Sequence, residues 1–127
     1  MSRVVIVDTN FFLLPYQNKI DIFRLIDQIV EEQHKYIISK GIIKELEQLA
    51  ENKGKTGAAA KLGLKILSSR KDLEIIDSNM RVDNWVEKYA KEKNAIVCTN
   101  DKKLKNKLKQ NGIQVITTKG KDWLGFV

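Results

Sequence analysis

The sequence alternates short, wholly apolar runs with longer segments in which apolar residues recur at helical spacing. Residues 4–7 and 95–98 are the clearest runs, and neither shows the polar alternation of a strand with one face in water. Runs of this kind are typical of parallel strands that are covered by helices on both faces. The pattern therefore predicts an α/β protein with a three-layer α/β/α architecture and right-handed crossovers.

The same pattern predicts the individual elements. We expect five parallel strands in the order 3-2-1-4-5, at residues 4–7, 36–38, 73–76, 95–98 and 113–116. Helices are predicted at about 20–33, 58–69 and 82–93, with two more beginning after Ser39 and Asp101. The Lys-rich tail around Trp123 is expected to dock onto the domain.

Length and composition narrow the class of protein. The 127 residues are expected to form a single domain over 1–127. The single cysteine, Cys98, excludes a disulfide framework and a Cys-rich zinc site and fits a reducing compartment. Because no stretch has the length of a signal peptide core or a membrane span, we expect a soluble, cytoplasmic protein without a membrane partner. The net charge of +7 favours a polyanionic partner such as nucleic acid.

Two polar triplets follow predicted strands one and four. They are Asp8-Thr9-Asn10 and Thr99-Asn100-Asp101. In an open parallel sheet, functional residues gather at the carboxyl ends of the strands, near the reversal of strand order. Strands one and four are neighbours at that reversal, so the two aspartates are expected to face one crevice.

Two further acids are predicted to lie at the same edge. Glu45 falls in the second turn of the helix after strand two, and Asp83 falls in the first turn of the helix after strand three. Clustered carboxylates raise one another's pKa unless a cation neutralises them, and oxygen ligands select Mg²⁺ or Mn²⁺. The alternative is that the triplets only cap helices and that the other two acids are solvated.

With these residues in place, the sequence resembles a PIN domain over residues 3–118. The resemblance implies a metal-dependent endoribonuclease, in which Mg²⁺ or Mn²⁺ is held by the catalytic acids Asp8, Glu45, Asp83 and Asp101. It also implies that Asn10 and Thr99 orient these acids. The chain departs from the family pattern at Asn84, where a second acid often follows the first.

The resemblance leaves the biological role open. The segment Thr-Asn-Asp-Lys-Lys-Leu-Lys is similar to the ribosomal-RNA-processing branch, which is the main expectation. The alternatives are a VapC-type toxin of a toxin–antitoxin pair and a non-catalytic RNA-binding scaffold. The implied partners are RNA, an antitoxin or a ribosome-processing factor, and a second copy of the chain.

Two basic segments are candidates for the RNA backbone. No acid interrupts residues 52–71, and lysines continue after Asp101. Because phosphate contacts are made by such cations, we predict RNA binding by Lys53, Lys55, Lys61, Lys65, Lys102 and Lys105. A solvated basic surface is the alternative for both segments.

Three other motifs are set aside. Residues 54–56 resemble the end of a phosphate-binding loop, but a helix and not a strand precedes them. Cys98 lies inside an apolar strand, far from His34, so a thiol nucleophile is not expected. A phosphoacceptor domain would have paired acids after strand one and a single helix between strands two and three, and this chain has neither.

Overall fold

The fold is built on a six-stranded sheet in the order β3-β2-β1-β4-β5-β6. The computed structural model describes residues 2–127. The strands are β1 (Arg3–Val7), β2 (His34–Ser39), β3 (Leu73–Ile76), β4 (Ile96–Cys98), β5 (Val115–Lys119) and β6 (Trp123–Phe126). Strands β1 to β5 pair with one another in parallel. Strand β6 pairs antiparallel with β5 at the edge of the sheet. The predicted three-layer α/β/α architecture and the order 3-2-1-4-5 are confirmed.

The sixth strand corrects the sequence prediction. The tail does not merely dock: it turns back at Gly120, whose φ of +70° suits glycine, and forms a hairpin with β5. Along β6 only Leu124 is buried, while Trp123 and Phe126 are exposed, so this edge strand adds one side chain to the core. The largest differences in strand extent are at β2, which begins two residues earlier than predicted, and at β5, which begins two residues later and ends three residues later, at Lys119.

Helical segments connect the strands. They are a 3-10 helix (Thr9–Leu13), α1 (Leu14–Gln17), α2 (Ile22–Ile29), α3 (Lys40–Ala50), α4 (Lys55–Ser69), α5 (Val82–Lys93) and α6 (Lys102–Gln110). Residues 9–17 are helical although no helix was predicted there, and Pro15 is tolerated because it lies in the first turn of α1. The predicted helix at 20–33 is shorter because it begins after the Asp21 cap and Val30 is already extended. In residues 2–127 we find no helix with the combined length and apolarity of a membrane span.

The two central strands form the middle of the core. Val5, Ile6 and Val7 of β1 and Val97 and Cys98 of β4 are all fully buried. Burial raises the pKa of the Cys98 thiol, so the reactive thiolate is disfavoured. Cys98 is therefore a packing residue, as the sequence predicted.

Helix α4 lies directly against the 3-10 helix at Gly63. A Cβ at this position would lie 2.4 Å from the backbone oxygen of Phe12, which is itself fully buried. Gly63→Ala gains about 1 kcal/mol of helix propensity, but overpacking against backbone costs about 1–3 kcal/mol. We expect a net loss of up to about 2 kcal/mol in the free energy of unfolding, measured by urea denaturation. Ala58→Gly, at a half-buried position of the same helix, gives the propensity difference for comparison, and a Gly63→Ala protein about 1 kcal/mol more stable than the wild type would refute the close contact.

Candidate active site at the carboxyl edge of the sheet

Asp8 is the buried centre of the site. It follows β1, is 4% exposed, and its backbone N–H donates to the Cys98 oxygen at 3.0 Å, which ties the ends of β1 and β4 together. Its carboxylate accepts three hydrogen bonds: from the Thr9 N–H at 2.9 Å, from Thr99 Oγ1 at 2.7 Å and from Asn10 Nδ2 at 3.1 Å. The orientation of this side chain is therefore fixed by its neighbours.

The electrostatics of the site disfavour a bare carboxylate at Asp8. Burial raises the pKa of Asp8 to about 6, and the charges of Asp83 and Glu45 add to the increase. The hydrogen bonds from Thr99 and Thr9 oppose it and do not cancel it. A proton or a bound cation at this position therefore relieves a real electrostatic cost.

Glu45 and Asp83 approach Asp8 from two different helices. Glu45 lies on α3 and accepts a hydrogen bond from Thr9 Oγ1 at 2.5 Å. Thr9 therefore bonds to two of the predicted acids, to Asp8 through its backbone N–H and to Glu45 through its hydroxyl. Asp83 lies in the first turn of α5. Both are exposed side chains, and both are near enough to Asp8 for their charges to act on its pKa.

Asp101 is linked to Asp8 through Thr99. The Asp101 backbone N–H donates to Thr99 Oγ1 at 3.1 Å, and the same hydroxyl donates to Asp8. One Asp101 carboxylate oxygen caps α6 by accepting from the Leu104 N–H at 3.0 Å. The capping interpretation is therefore correct for this oxygen, and the other oxygen makes no hydrogen bond within residues 2–127.

The donor chemistry of these residues fits a hard divalent cation. All four acids offer oxygen ligands, and across residues 2–127 none of them forms a salt bridge with lysine or arginine. The same residues contain no group of three acidic, histidine or cysteine side chains already close enough to enclose an ion. Mg²⁺ does not require such a cage, because it keeps several waters and binds through one or two carboxylates.

A polar network supports the two triplets. Asn10 Oδ1 accepts from the Asn100 N–H at 3.0 Å, and Asn100 Oδ1 accepts from Thr117 Oγ1 at 2.6 Å and from the Thr118 N–H at 3.0 Å. Orienting roles were predicted for Asn10 and Thr99 and not for Thr9 and Asn100. Thr9 and Asn100 could have been recognised from the sequence, because each is the middle residue of one of the two polar triplets.

The lysines predicted to bind RNA lie on two surfaces. On α4 and just before it, the exposed lysines are Lys53, Lys55, Lys61 and Lys65. On α6, Lys102 is exposed and Lys105 is half-buried. Across residues 2–127 none of the six makes a salt bridge. RNA contact by these lysines stays a prediction.

Two solved structures share this fold. The PIN domain endonuclease Utp24 superposes with a TM-score of 0.76 at 23% identity and covers 97% of this chain and 90% of its own. A domain of a functionally unknown protein from Methanocaldococcus jannaschii superposes with a TM-score of 0.66 at 23% identity, covering 94% and 93%. At this level of identity the likeness concerns the fold alone.

Sequence comparison is more specific. Ribonuclease VapC4 of Methanocaldococcus jannaschii is 33% identical over 124 residues, covering 94% of this chain and 92% of the relative. Ribonuclease VapC9 of Archaeoglobus fulgidus is 34% identical over 115 residues, covering 89% and 81%. The model of the PIN like domain matches residues 5–121, which include all four candidate acids and both triplets. The chain belongs to the PIN-like domain family.

Proposed function

We propose that the protein is a divalent-metal-dependent endoribonuclease that hydrolyses RNA phosphodiester bonds. Asp8, Glu45, Asp83 and Asp101 are its catalytic and metal-holding residues. The observation that carries this proposal is the buried Asp8 carboxylate, with its raised pKa, beside two further acids and without a lysine or arginine partner within residues 2–127. Two relatives named ribonucleases, each more than 30% identical, support the activity.

The chain's own residues orient the acids for this chemistry. A bound Mg²⁺ or Mn²⁺ would polarise the phosphodiester and lower the pKa of an attacking water. Thr99 and Asn10 hold the Asp8 carboxylate in place, and Thr9 holds that of Glu45. The net charge of +7 attracts the RNA backbone toward the acidic site.

The activity is tested with pure protein and labelled single-stranded and structured RNA, with Mn²⁺ and with a chelator. We expect cleavage only with the metal. Because the nucleophile is water, its oxygen bonds to phosphorus and the bond to one ribose oxygen breaks. One product then carries a phosphate and the other a hydroxyl, without a 2′,3′-cyclic phosphate. Metal-independent cleavage that leaves cyclic ends would refute the proposal, and RNA binding without cleavage would establish the scaffold alternative.

For the biological role we propose a VapC-type toxin in preference to ribosomal-RNA processing. Two relatives bear the name ribonuclease VapC, whereas the processing role is supported only by the local sequence likeness described above. The expected partners are an antitoxin and a second copy of the chain. Induced expression should halt growth of a host cell with the wild type and not with Asp8→Asn. Undiminished growth with the active wild type would favour processing.

Thr99 is proposed as a positioning residue for both aspartates. Thr99→Val keeps the shape of the side chain but removes the donor to Asp8 and the acceptor for the Asp101 N–H. Loss of such a supporting contact costs about 10–100-fold in metal affinity or activity. We expect a loss of this size in kcat, together with a weaker dependence of the melting temperature on Mn²⁺. Thr99→Ser should restore most of both quantities, and equal activity of the valine variant would contradict this role.

A further inference from the structure

A cavity of about 140 Å³ lies between the first two turns of α5 and those of α6. Its walls include Arg81, Asp83, Glu87, Lys103 and Lys107. Because Asp83 is also near enough to act on the pKa of Asp8, the cavity adjoins the candidate active site. We call it the α5–α6 pocket.

Three cations of this pocket have no ionic partner. Arg81 precedes the first residue of α5, while Lys103 and Lys107 are one turn apart on the same face of α6. Although Asp83 and Glu87 line the same pocket, none of the three cations forms a salt bridge within the part of the chain that the structure describes. The side chains are therefore available to a ligand that carries negative charge.

The chemistry of the lining selects a phosphate group. Three cations and two carboxylates leave the wall with a net charge of +1, and a metal ion at Asp83 would make it more positive. The guanidinium of an arginine matches phosphate oxygens with two parallel hydrogen bonds, and lysines add point charges. The volume of the pocket equals that of about five water molecules in liquid water, which is room for one phosphodiester group.

We propose that the α5–α6 pocket binds an RNA backbone phosphate beside the phosphate that is cleaved, with Arg81, Lys103 and Lys107 as its ligands. This inference rests on the proposed ribonuclease function and adds a position for the substrate. It also changes the face of α6 that is assigned to RNA. The sequence prediction chose Lys102 and Lys105, whereas the pocket is lined by the face that carries the other two lysines.

The test compares two double variants of equal charge. Lys103→Gln/Lys107→Gln alters the pocket, and Lys35→Gln/Lys93→Gln removes two exposed lysines that do not line it, one on β2 and one at the end of α5. Binding of a fluorescein-labelled single-stranded RNA is measured with a chelator present, so that no cleavage interferes, over a range of salt concentrations. Each lost phosphate contact reduces the slope of log K against log salt by about 0.7. We expect the pocket variant to lose about tenfold in affinity at 0.1 M salt, with a slope smaller by about 0.7–1.4.

The matched variant is expected to keep a slope close to that of the wild type. Equal losses in the two variants, or an unchanged slope in the pocket variant, would overturn the inference. Arg81→Gln, a second variant, should weaken binding in the same way. Cleavage by the wild type with Mn²⁺ is scored separately, so a failed pocket and a failed ribonuclease proposal give different results.

Discussion

Asp8→Asn is expected to reduce RNA cleavage by at least about a hundredfold while the protein stays folded. The substitution keeps the size of the side chain and removes the buried charge around which the site is arranged. Asp8 accepts hydrogen bonds from Thr9, Thr99 and Asn10, so no other acid can take over its position. Asp101→Asn should also reduce cleavage strongly, because the Asp101 backbone is tied to Asp8 through Thr99 and one of its carboxylate oxygens makes no hydrogen bond within residues 2–127. Initial rates with Mn²⁺ measure both effects.

Asp77→Asn is the matched control for this experiment. Asp77 also directly follows a parallel strand, β3, but it is exposed and pairs with Lys40 at 3.5 Å. Its loss should leave the cleavage rate unchanged, because an exposed ion pair of this kind contributes little. If Asp8→Asn retained a rate within threefold of the wild type, the assignment of Asp8 to the chemistry would be wrong.

The metal-free protein is expected to lose stability as the pH rises from 4 to 7. The folded pKa of Asp8 is about 6 and the unfolded value is 3.8, so between these values the folded protein holds more protons. The free energy of unfolding therefore falls as pH rises through this interval and levels off above pH 7. The difference of about 2.2 pKa units corresponds to about 3 kcal/mol from this group.

Comparison with Asp8→Asn isolates this contribution. The asparagine does not titrate, so the difference between the two proteins in urea denaturation at a series of pH values reports Asp8 alone. At pH 7.5 in chelator we expect the variant to be at least as stable as the wild type, because repulsion and desolvation are relieved. If the variant is less stable by about 1 kcal/mol or more, Asp8 acts chiefly as a structural hydrogen-bond acceptor.

The sheet order and the carboxylate positions were readable because each depends on local pattern and simple topology. An apolar run as short and as rich in β-branched residues as 4–7 favours a strand covered on both sides, and the polar triplet after such a strand lies at the carboxyl edge of the sheet. Once β1 and β4 are neighbours, Asp8 and Asp101 are brought to one end of the sheet.

The features that escaped prediction depend on tertiary contacts. β6 is four residues long and contains Gly125, so it has little strand signal without its partner β5. The helical turns at residues 9–17 are stabilised by packing against α4 at Gly63, which is distant in sequence. The α5–α6 pocket joins Arg81 to Lys103 and Lys107, and no sequence spacing relates the two helices.

Binding of a divalent cation by these acids is measured by calorimetric titration of Mn²⁺ into the metal-free protein at pH 7.5. We predict binding by the wild type and by Asp77→Asn, and at least about tenfold weaker binding by Asp8→Asn. Absence of binding to the wild type at millimolar Mn²⁺, or unchanged binding to Asp8→Asn, would show that Asp8 and its neighbours are not a metal site.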